Sequence, residues 1–368
     1  MGIRQSPLEI VVMTSNPLVW RNQSVLVTGH TGFKGAWLCL WLHQLGAKVS
    51  GLALDPPTNP SLYRMAGIQQ FLEFDLRGDI RDPESVEAAI SQIRPTVIFH
   101  LAAQPLVNYS YEFPLETYAV NVMGTAHVLE AARRAGTVQA IVVVTTDKCY
   151  ENQEWVYPYR ENDRLGGFDP YSNSKACAEL VVSAYRASFL RSEGIAVATA
   201  RAGNVIGGGD WAKGRLLPDC VRAFQGGESL KLRYPQAVRP WQHVLDPLSG
   251  YLLLAERLLS DHAESFCEAW NFGPSESDSR TVEEVARLAA ECWGGSIEIT
   301  GTDPLHHEAG MLKLDSSKAR SRLEWRPRWS VEDAVRHSIQ CYKAVVQGVA
   351  MQALILETID HYVRVDQG

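Results

Sequence analysis

The stretch "SVLVTGHTGFKGAWLCLWLHQLG", Ser24 to Gly46, decides the fold. It opens as an apolar run of β type, breaks at a turn with Gly29, Gly32 and Gly35 at three-residue spacing, and continues as an apolar helix. Side chains at those glycines would block a pyrophosphate from the helix N-terminus, where free N–H groups and the dipole favour an anion. Thr31 and Phe33 stand between them in the same loop. A strand before and a helix after turn a glycine trio into a dinucleotide-binding signal. Asp55 closes the next β-type run, "AKVSGLALD", at the expected distance of about 20 residues. There it would accept a bond from the ribose hydroxyls and repel a 2′-phosphate, so the expected cofactor is NAD rather than NADP.

Beyond Asp55 the same texture repeats. "FLEFDLRGDI" reads as a strand, "DPESVEAAISQIRP" as a helix, "TVIFHLAA" as a strand, "NVMGTAHVLEAARRAG" as a helix and "AIVVVTT" as a strand. A helix from Pro170 and the strand "IAVATARAGNV" follow. Strands alternating with helices over short connections mean a parallel sheet covered on both faces, here complete by about Val205. Ligands of such sheets bind beyond the carboxyl ends of the strands. "GDIRD" therefore offers Asp79 and Ile80 to an adenine, and Leu101, Ala102 and Ala103 offer small residues where a dinucleotide lies close to backbone. Gln104, next in line, is a candidate substrate contact.

From Ile206 the composition turns to Gly, Pro, Trp and Arg in "GGGDWAKGRLLPD", "QGGESLKL" and "RYPQAVRPWQHV". Weaker periodicity there predicts a smaller domain that holds the substrate. The expected fold is α/β, a Rossmann-type doubly wound parallel sheet with a smaller C-terminal α+β substrate domain. In residue terms, 1–21 form an irregular extension and 22–205 the dinucleotide domain, to which 243–262 and 269–273 return. Residues 206–242 and 274–345 form the substrate domain, and 346–368 a C-terminal helix or tail.

Composition narrows the function. The 368 residues are 46% hydrophobic and 21% charged, ordinary for a globular protein. A net charge of -7 leaves no basic footprint, so no nucleic-acid partner is expected. Seven scattered cysteines without a CxxC pair argue against disulfides or zinc and for a reduced, cytoplasmic setting. "MGIRQS" matches a short myristoylation pattern. It reads better as upstream sequence before a second start at Met13, and no apolar run reaches the roughly 20 residues a membrane span needs. "HHE", His306 to Glu308, lacks the i, i+4 spacing of a metal site, so no metal is expected and a loop near the substrate is the reading.

Two further stretches carry chemistry. "DPYSNSKACAEL" starts a helix with Asp169 as cap and Pro170 in the first turn, which puts Tyr171 and Lys175 on one face. An ammonium beside a phenol lowers the phenol from a pKa of about 10 toward neutrality, so Tyr171 would take a proton from an alcohol. "VVVTTDKCY", Val142 to Tyr150, delivers Thr146, Asp147 and Lys148 from the end of a buried run into the cleft.

Together "TGHTGFKG", "HLAAQ" and "YSNSK" resemble the extended short-chain dehydrogenase/reductase superfamily, from Val25 to about Trp329. "TTDK" before the tyrosine is similar to its nucleotide-sugar 4,6-dehydratase branch. "TTDKCYEN", "REND", "GGFDPYSNSKA", "RAGNVIGGGDW" and "RPWQHVLDP" narrow the resemblance to members that act on CDP-glucose. The resemblance implies a redox cycle closed in one site. Tyr171, paired with Lys175, takes the 4-hydroxyl proton while hydride leaves C4 for NAD; a base removes the C5 proton; an acid protonates the departing 6-hydroxyl; hydride returns to C6 and a proton to C5. By the same resemblance Thr146 bonds the 4-hydroxyl, Asp147 is the acid and Asn204 contacts substrate, while Arg215 and Arg239 are candidates for the diphosphate.

Related dTDP-glucose enzymes carry Glu beside that Asp as the C5 base, whereas this chain has Lys148. Two readings stay open: a neutral Lys148 as base, or a charged Lys148 that stabilises the developing enolate. A nucleotide-sugar 4-epimerase shares the glycine loop and YxxxK but needs no acid beside them. A silent dinucleotide-binding scaffold would not fill every catalytic position. The resemblance also implies a homodimer or homotetramer paired through helices near Asn121 and Pro170, and a place in deoxyhexose synthesis for surface polysaccharide.

Overall fold

The computed structural model describes residues 15–232, 234–300 and 310–364, so "MGIRQS" and "HHE" lie outside the described residues. Six strands follow one another in the first two hundred residues: β1 (Ser24–Thr28), β2 (Lys48–Ala53), β3 (Asp75–Arg77), β4 (Val97–His100), β5 (Ala140–Val144) and β6 (Ala196–Arg201). With the strand Ala269–Asn271 they form one sheet in the order Ala269–Asn271, β6, β5, β4, β1, β2, β3. Every pairing is parallel. Because both faces are covered by helices, all five residues of β5 are buried. Alternate side chains feed opposite layers: Val25, Val27, Phe99 and Val142 enter one apolar cluster, Leu26, Ile98 and Ile141 the other. Strand order reverses between β4 and β1, which opens a crevice at their carboxyl ends.

The fold departs from the sequence reading in four places, three of them in strands. It is not complete at Val205, since Ala269–Asn271 returns from far along the chain to pair with β6. "FLEFDLRGDI" supplies only the three residues of β3; Gly67 at φ 59 opens a 3-10 turn, Ile68–Phe71, whose Phe71 packs into the core instead of pairing. "IAVATARAGNV" breaks after Arg201, and Val205–Ile206 pairs with Gln242–His243. The break is enforced at Gly203, where a Cβ would sit 1.8 Å from Asp147 Oδ2, and at Asn204, φ 39. Residues 1–21 are not irregular throughout: Asn16 caps a helical turn, Pro17–Trp20. Trp20 is fully buried, its indole N–H donating to Glu256 Oε1 at 2.7 Å.

The smaller region has its own core, in which Leu217, Val221, Phe224, Trp241, Val285 and Tyr342 pack together. Its ladders are short: Leu230–Leu232 with Ile297–Ile299, and Val238–Pro240 with Ser279–Thr281. The first helix, Phe33–Gln44, is buried from Gly35 to Leu42 because the sheet covers one side and the C-terminal helix Met351–Arg364 another.

A buried acid ties that C-terminal helix down. Asp246 lies in the first turn of the helix Leu245–Leu258, and its Oδ1 accepts from the Arg328 N–H and the Tyr362 hydroxyl, both at 2.8 Å. Oδ2 is buried without a partner. Burial pushes the carboxyl up to about 7. An acid raised on folding adds stability that is complete below the unfolded value of about 3.9 and is lost as pH rises through the folded value. Asp246→Asn mimics the protonated acid, so its advantage over the parent should grow from pH 4 to pH 8 to an order of 4 kcal/mol. Thermal unfolding across that range checks this; a pH-independent difference would refute it.

Candidate active site

A cavity of about 1570 Å³ opens at the carboxyl ends of the strands. Its cofactor side is shaped by absent side chains. Gly29 has φ 77, and a Cβ on it would stand 2.7 Å from the Ala102 nitrogen; one on Gly35 would stand 2.3 Å from the Gly29 oxygen. Gly32 caps the first helix with no side-chain bond, which leaves the N–H groups of its first turn for an anion. This cradle fits a dinucleotide pyrophosphate. The Thr31 hydroxyl ties the loop to the Leu54 carbonyl at 3.0 Å. Asp55 stands just past β2, 84% exposed and 3.2 Å from Arg77 Nε, free to turn toward a ribose. Phe33, Asp79, Ile80, Leu101, Ala102 and Ala103 line the same wall.

The floor is built where β5 ends. Thr146 caps a 3-10 turn, Asp147–Cys149, and its hydroxyl donates to Asp147 Oδ1 at 3.0 Å. The same hydroxyl lies within bonding reach of the Tyr171 phenol. With a single proton it donates to one of the two at a time. Asp147 is buried and its Oδ2 has no partner. Burial raises this carboxyl above the usual range, outweighing the pull of Lys148, of the Thr146 bond and of Arg239. A carboxyl held toward its protonated form beside a phenol is suited to delivering a proton. Lys148 follows on the same turn, half-buried in the cavity wall.

Asp169 caps the helix Pro170–Tyr185 by accepting from the Ser172 N–H at 2.9 Å, with Pro170 in its first turn as expected. Tyr171 and Lys175 are buried on one face and both line the cavity. The expected phenol lowering is absent from the protein alone. Burial pushes Tyr171 up to about 12, against the Thr146 bond. Lys175 instead donates to the Val144 carbonyl at the end of β5, at 3.3 Å. Burial lowers its ammonium to about 8, with Glu179 opposing.

Of the expected substrate residues, Asn204, Arg215 and Arg239 line the cavity. Arg239 is 2% exposed, and Arg215 reaches Asp210 at 3.5 Å. Gln104 is engaged elsewhere in this structure. Its amide donates to Thr117 Oγ1 at 2.9 Å and accepts from the Leu106 N–H at 2.5 Å, satisfying the turn before the helix Val107–Glu112 instead of joining the wall. Sequence reasoning missed Lys34. This lysine stands in the glycine loop, half-buried in the same cavity, and burial lowers it to about 7, with Arg215 adding and Asp147 opposing. The signal was present: a charged residue in "GFKG" where an otherwise apolar helix begins. Among the described residues no cluster of three His, Cys, Asp or Glu could hold a metal ion, and no helix is long and apolar enough to cross a membrane.

A model of the family described as GDP-mannose 4,6 dehydratase matches residues 26–338. The chain belongs to that family. The match begins within β1 and runs through the rest of the sheet, and the C-terminal helix Met351–Arg364 lies beyond it. A curated relative, the CDP-glucose 4,6-dehydratase of Salmonella typhimurium, is 48% identical over 349 residues, covering 93% of this chain and 97% of its own. The UDP-glucose 4-epimerase of Thermotoga maritima, solved with UDP-glucose, superposes with a TM-score of 0.74 at 25% identity, covering 88% of this chain and 99% of its own. The dTDP-glucose 4,6-dehydratase of Bacillus anthracis, solved in complex with NAD, shares the fold, with a TM-score of 0.73 at 23% identity, over 88% of this chain and 98% of its own.

Proposed function

We propose that this chain is a lyase that converts CDP-D-glucose to CDP-4-dehydro-6-deoxy-D-glucose and water, with NAD returned unchanged. One observation carries the reading beyond fold: a buried carboxyl, Asp147, raised above its usual range beside Tyr171 at the floor of a nucleotide cleft. An epimerase has no hydroxyl to expel and no use for that acid. The likeness to the Salmonella typhimurium enzyme supports the CDP-linked substrate.

Gly29, Thr31, Gly32, Phe33, Gly35, Asp55, Asp79, Ile80 and Leu101 to Ala103 would hold NAD. When bound, NAD supplies a hydride acceptor for C4 and afterwards a hydride donor for C6. Tyr171 takes the proton of the 4-hydroxyl, which Thr146 holds, and the Lys175 charge stabilises the phenolate. The 4-ketone acidifies the hydrogen on C5. Lys148 removes it, and Asp147 gives its proton to the 6-hydroxyl, which leaves as water. As C6 gains its hydride, Lys148 gives the proton back to C5, and the proton taken up by Tyr171 replaces the one that Asp147 gave, so the three groups end as they began. Asn204, in the loop before the 206–242 segment, contacts the substrate, and Arg215 and Arg239 of that segment hold the diphosphate.

Incubation with CDP-, dTDP-, GDP- and UDP-glucose in parallel, with trace NAD and mass spectrometry of each product, tests the reading. Loss of water from CDP-glucose is expected. An unchanged mass, or equal turnover of dTDP-glucose, overturns it. The Lys148 role has its own readout, the exchange of the acidified C5 hydrogen of the keto product in D2O. Lys148→Met should slow this exchange at least about a hundredfold, the scale of a lost general base. Undiminished exchange would leave Lys148 as a charge that stabilises the enolate.

The same reading includes an assembly of at least two chains through the helices around Asn121 and Pro170, Ala119–Met123 running into Gly124–Ala135 and Pro170–Tyr185, supported by exposed Met123 (52%) and Leu180 (59%). It also includes a cytoplasmic enzyme that supplies deoxyhexoses to surface polysaccharide such as lipopolysaccharide O-antigen.

A further inference from the structure

Beneath the floor of the cleft lies a buried polar knot that the proposed reaction does not use. Glu179 sits on the helix Pro170–Tyr185, one turn beyond Lys175 and two beyond Tyr171, and is 4% exposed. Its Oε1 accepts from the Thr145 hydroxyl at 2.5 Å, and its Oε2 accepts from the Thr199 hydroxyl at 2.6 Å and from Arg201 Nη2 at 2.8 Å. Arg201 in turn donates to the Tyr150 hydroxyl at 2.9 Å, which donates to Asn271 Oδ1 at 2.6 Å. One carboxylate thus joins the helix of the phenol and the lysine to the ends of β5 and β6.

Resting on the dehydratase reading, we propose that Glu179 is a positioning residue: it clamps Thr145, and so the strand end bearing Thr146 and Asp147, and keeps the Lys175 ammonium charged. The clamp follows from chain order, since Thr145 precedes Thr146 directly and Thr145 N–H is held by the Ala200 carbonyl at 2.9 Å. The two bonds fix backbone and side chain of one residue, so the Thr146 hydroxyl is presented from a rigid support. The charge role follows from what surrounds Lys175. Coupled to it by charge are Glu179, one turn on along its own helix, Cys149 on the turn after β5, Lys34 on the first helix and His100 on β4, with Tyr171 one turn back along the helix. His100 is lowered by burial to about 3 and is neutral; burial raises the Cys149 thiol and the Tyr171 phenol, which are neutral too. Glu179 is the one anion among these groups. It is itself held ionised: burial alone would raise its carboxyl, but the charge and bond of Arg201 and the two threonine hydroxyls outweigh burial and keep it below the usual range.

A buried ammonium with one compensating anion loses its proton more readily when the anion is neutralised. In Glu179→Gln the side chain keeps its shape and an oxygen acceptor, and Lys175 should deprotonate at least about one pH unit lower, a tenfold change in its proton affinity. Nitrogen-15 NMR titration of the lysine Nζ groups reads this in the full-length protein, with Lys175 assigned by its absence from Lys175→Ala. This measurement needs no turnover, so it decides the charge role even if the parent chain proves inactive on CDP-glucose, a result that would sink the dehydratase reading alone. With an active parent, the alkaline limb of kcat/KM should move down with the titration, kcat at pH 8 should fall about tenfold or more, and KM should change less than about threefold. Glu179→Asp, which keeps the charge, should restore the alkaline limb. Thr145→Val separates the clamp: kcat should fall about tenfold with the Lys175 titration unmoved. If Glu179→Gln leaves Arg201 uncompensated and does not fold, Glu179→Gln with Arg201→Gln removes both charges and should show the same Lys175 shift. A Lys175 titration unmoved in the folded variant overturns the charge role, and full kcat in Thr145→Val overturns the clamp.

Discussion

Tyr171→Phe should lower kcat for water loss from CDP-glucose about a thousandfold, within the range a positioned general base contributes. Affinity for the sugar nucleotide should change little, since the hydroxyl is one group in a cavity of about 1570 Å³. The physical reason lies in the state of the phenol. Burial holds it up to about 12 in the protein alone, so it is fully protonated there and becomes a base only as nearby positive charge stabilises its phenolate. Lys175 is the cation within one helical turn. Without the hydroxyl no group on this face takes the 4-hydroxyl proton, and C4 oxidation, the first step, fails. Steady-state kinetics with binding by calorimetry checks this. A loss of less than tenfold in kcat would show that another group is the base.

Asp147→Asn should separate the two halves of the reaction. Water loss should fall about a hundred- to ten-thousandfold, the contribution of a general acid, while exchange of the C5 hydrogen in the keto product persists. Lys148→Met is expected to do the reverse to exchange, so the pair of variants divides the two proton transfers between neighbouring residues. The parent should also lose turnover as pH rises, because the acid works only while protonated and its raised pKa delays that loss. Stability should move the other way. The Asp147 carboxyl is buried with one oxygen unpartnered, so an uncharged amide of the same shape should melt no lower than the parent. A lower melting temperature with normal water loss would assign Asp147 to packing instead of chemistry.

Much of the site stands in short, local patterns whose geometry follows from the elements that carry them. Gly29, Gly32 and Gly35 lie between one strand and one helix, and Tyr171 and Lys175 share a helical face, so their placement needs no knowledge of distant contacts. Asp169 and Pro170 mark that helix start by the chemistry of a cap. Gln104 and Lys34 show where local reading stops. Gln104 looks like a wall residue by position, but Thr117 and the Leu106 N–H claim its amide, and Thr117 reaches it only through the folding of a following helix. Lys34 looks like an ordinary helix residue, and only folding brings it the cationic neighbours Arg215, from the smaller region, and Lys175 in the cavity.

By itself, the sequence determined the parallel sheet, the dinucleotide cradle, the phenol–lysine pair and the polar end of β5, because each rests on the periodicity or spacing of a few consecutive residues. Only the tertiary structure decided that Ala269–Asn271 pairs with β6, that Lys175 rests on the Val144 carbonyl, and that Glu179 ties Thr145, Thr199 and Arg201 together. Those decisions join residues tens of positions apart through burial and shared hydrogen bonds. The protonation of Asp147, Tyr171 and Lys175 is of the same kind, since it is set by how much solvent the packed chain removes and which charges it leaves nearby.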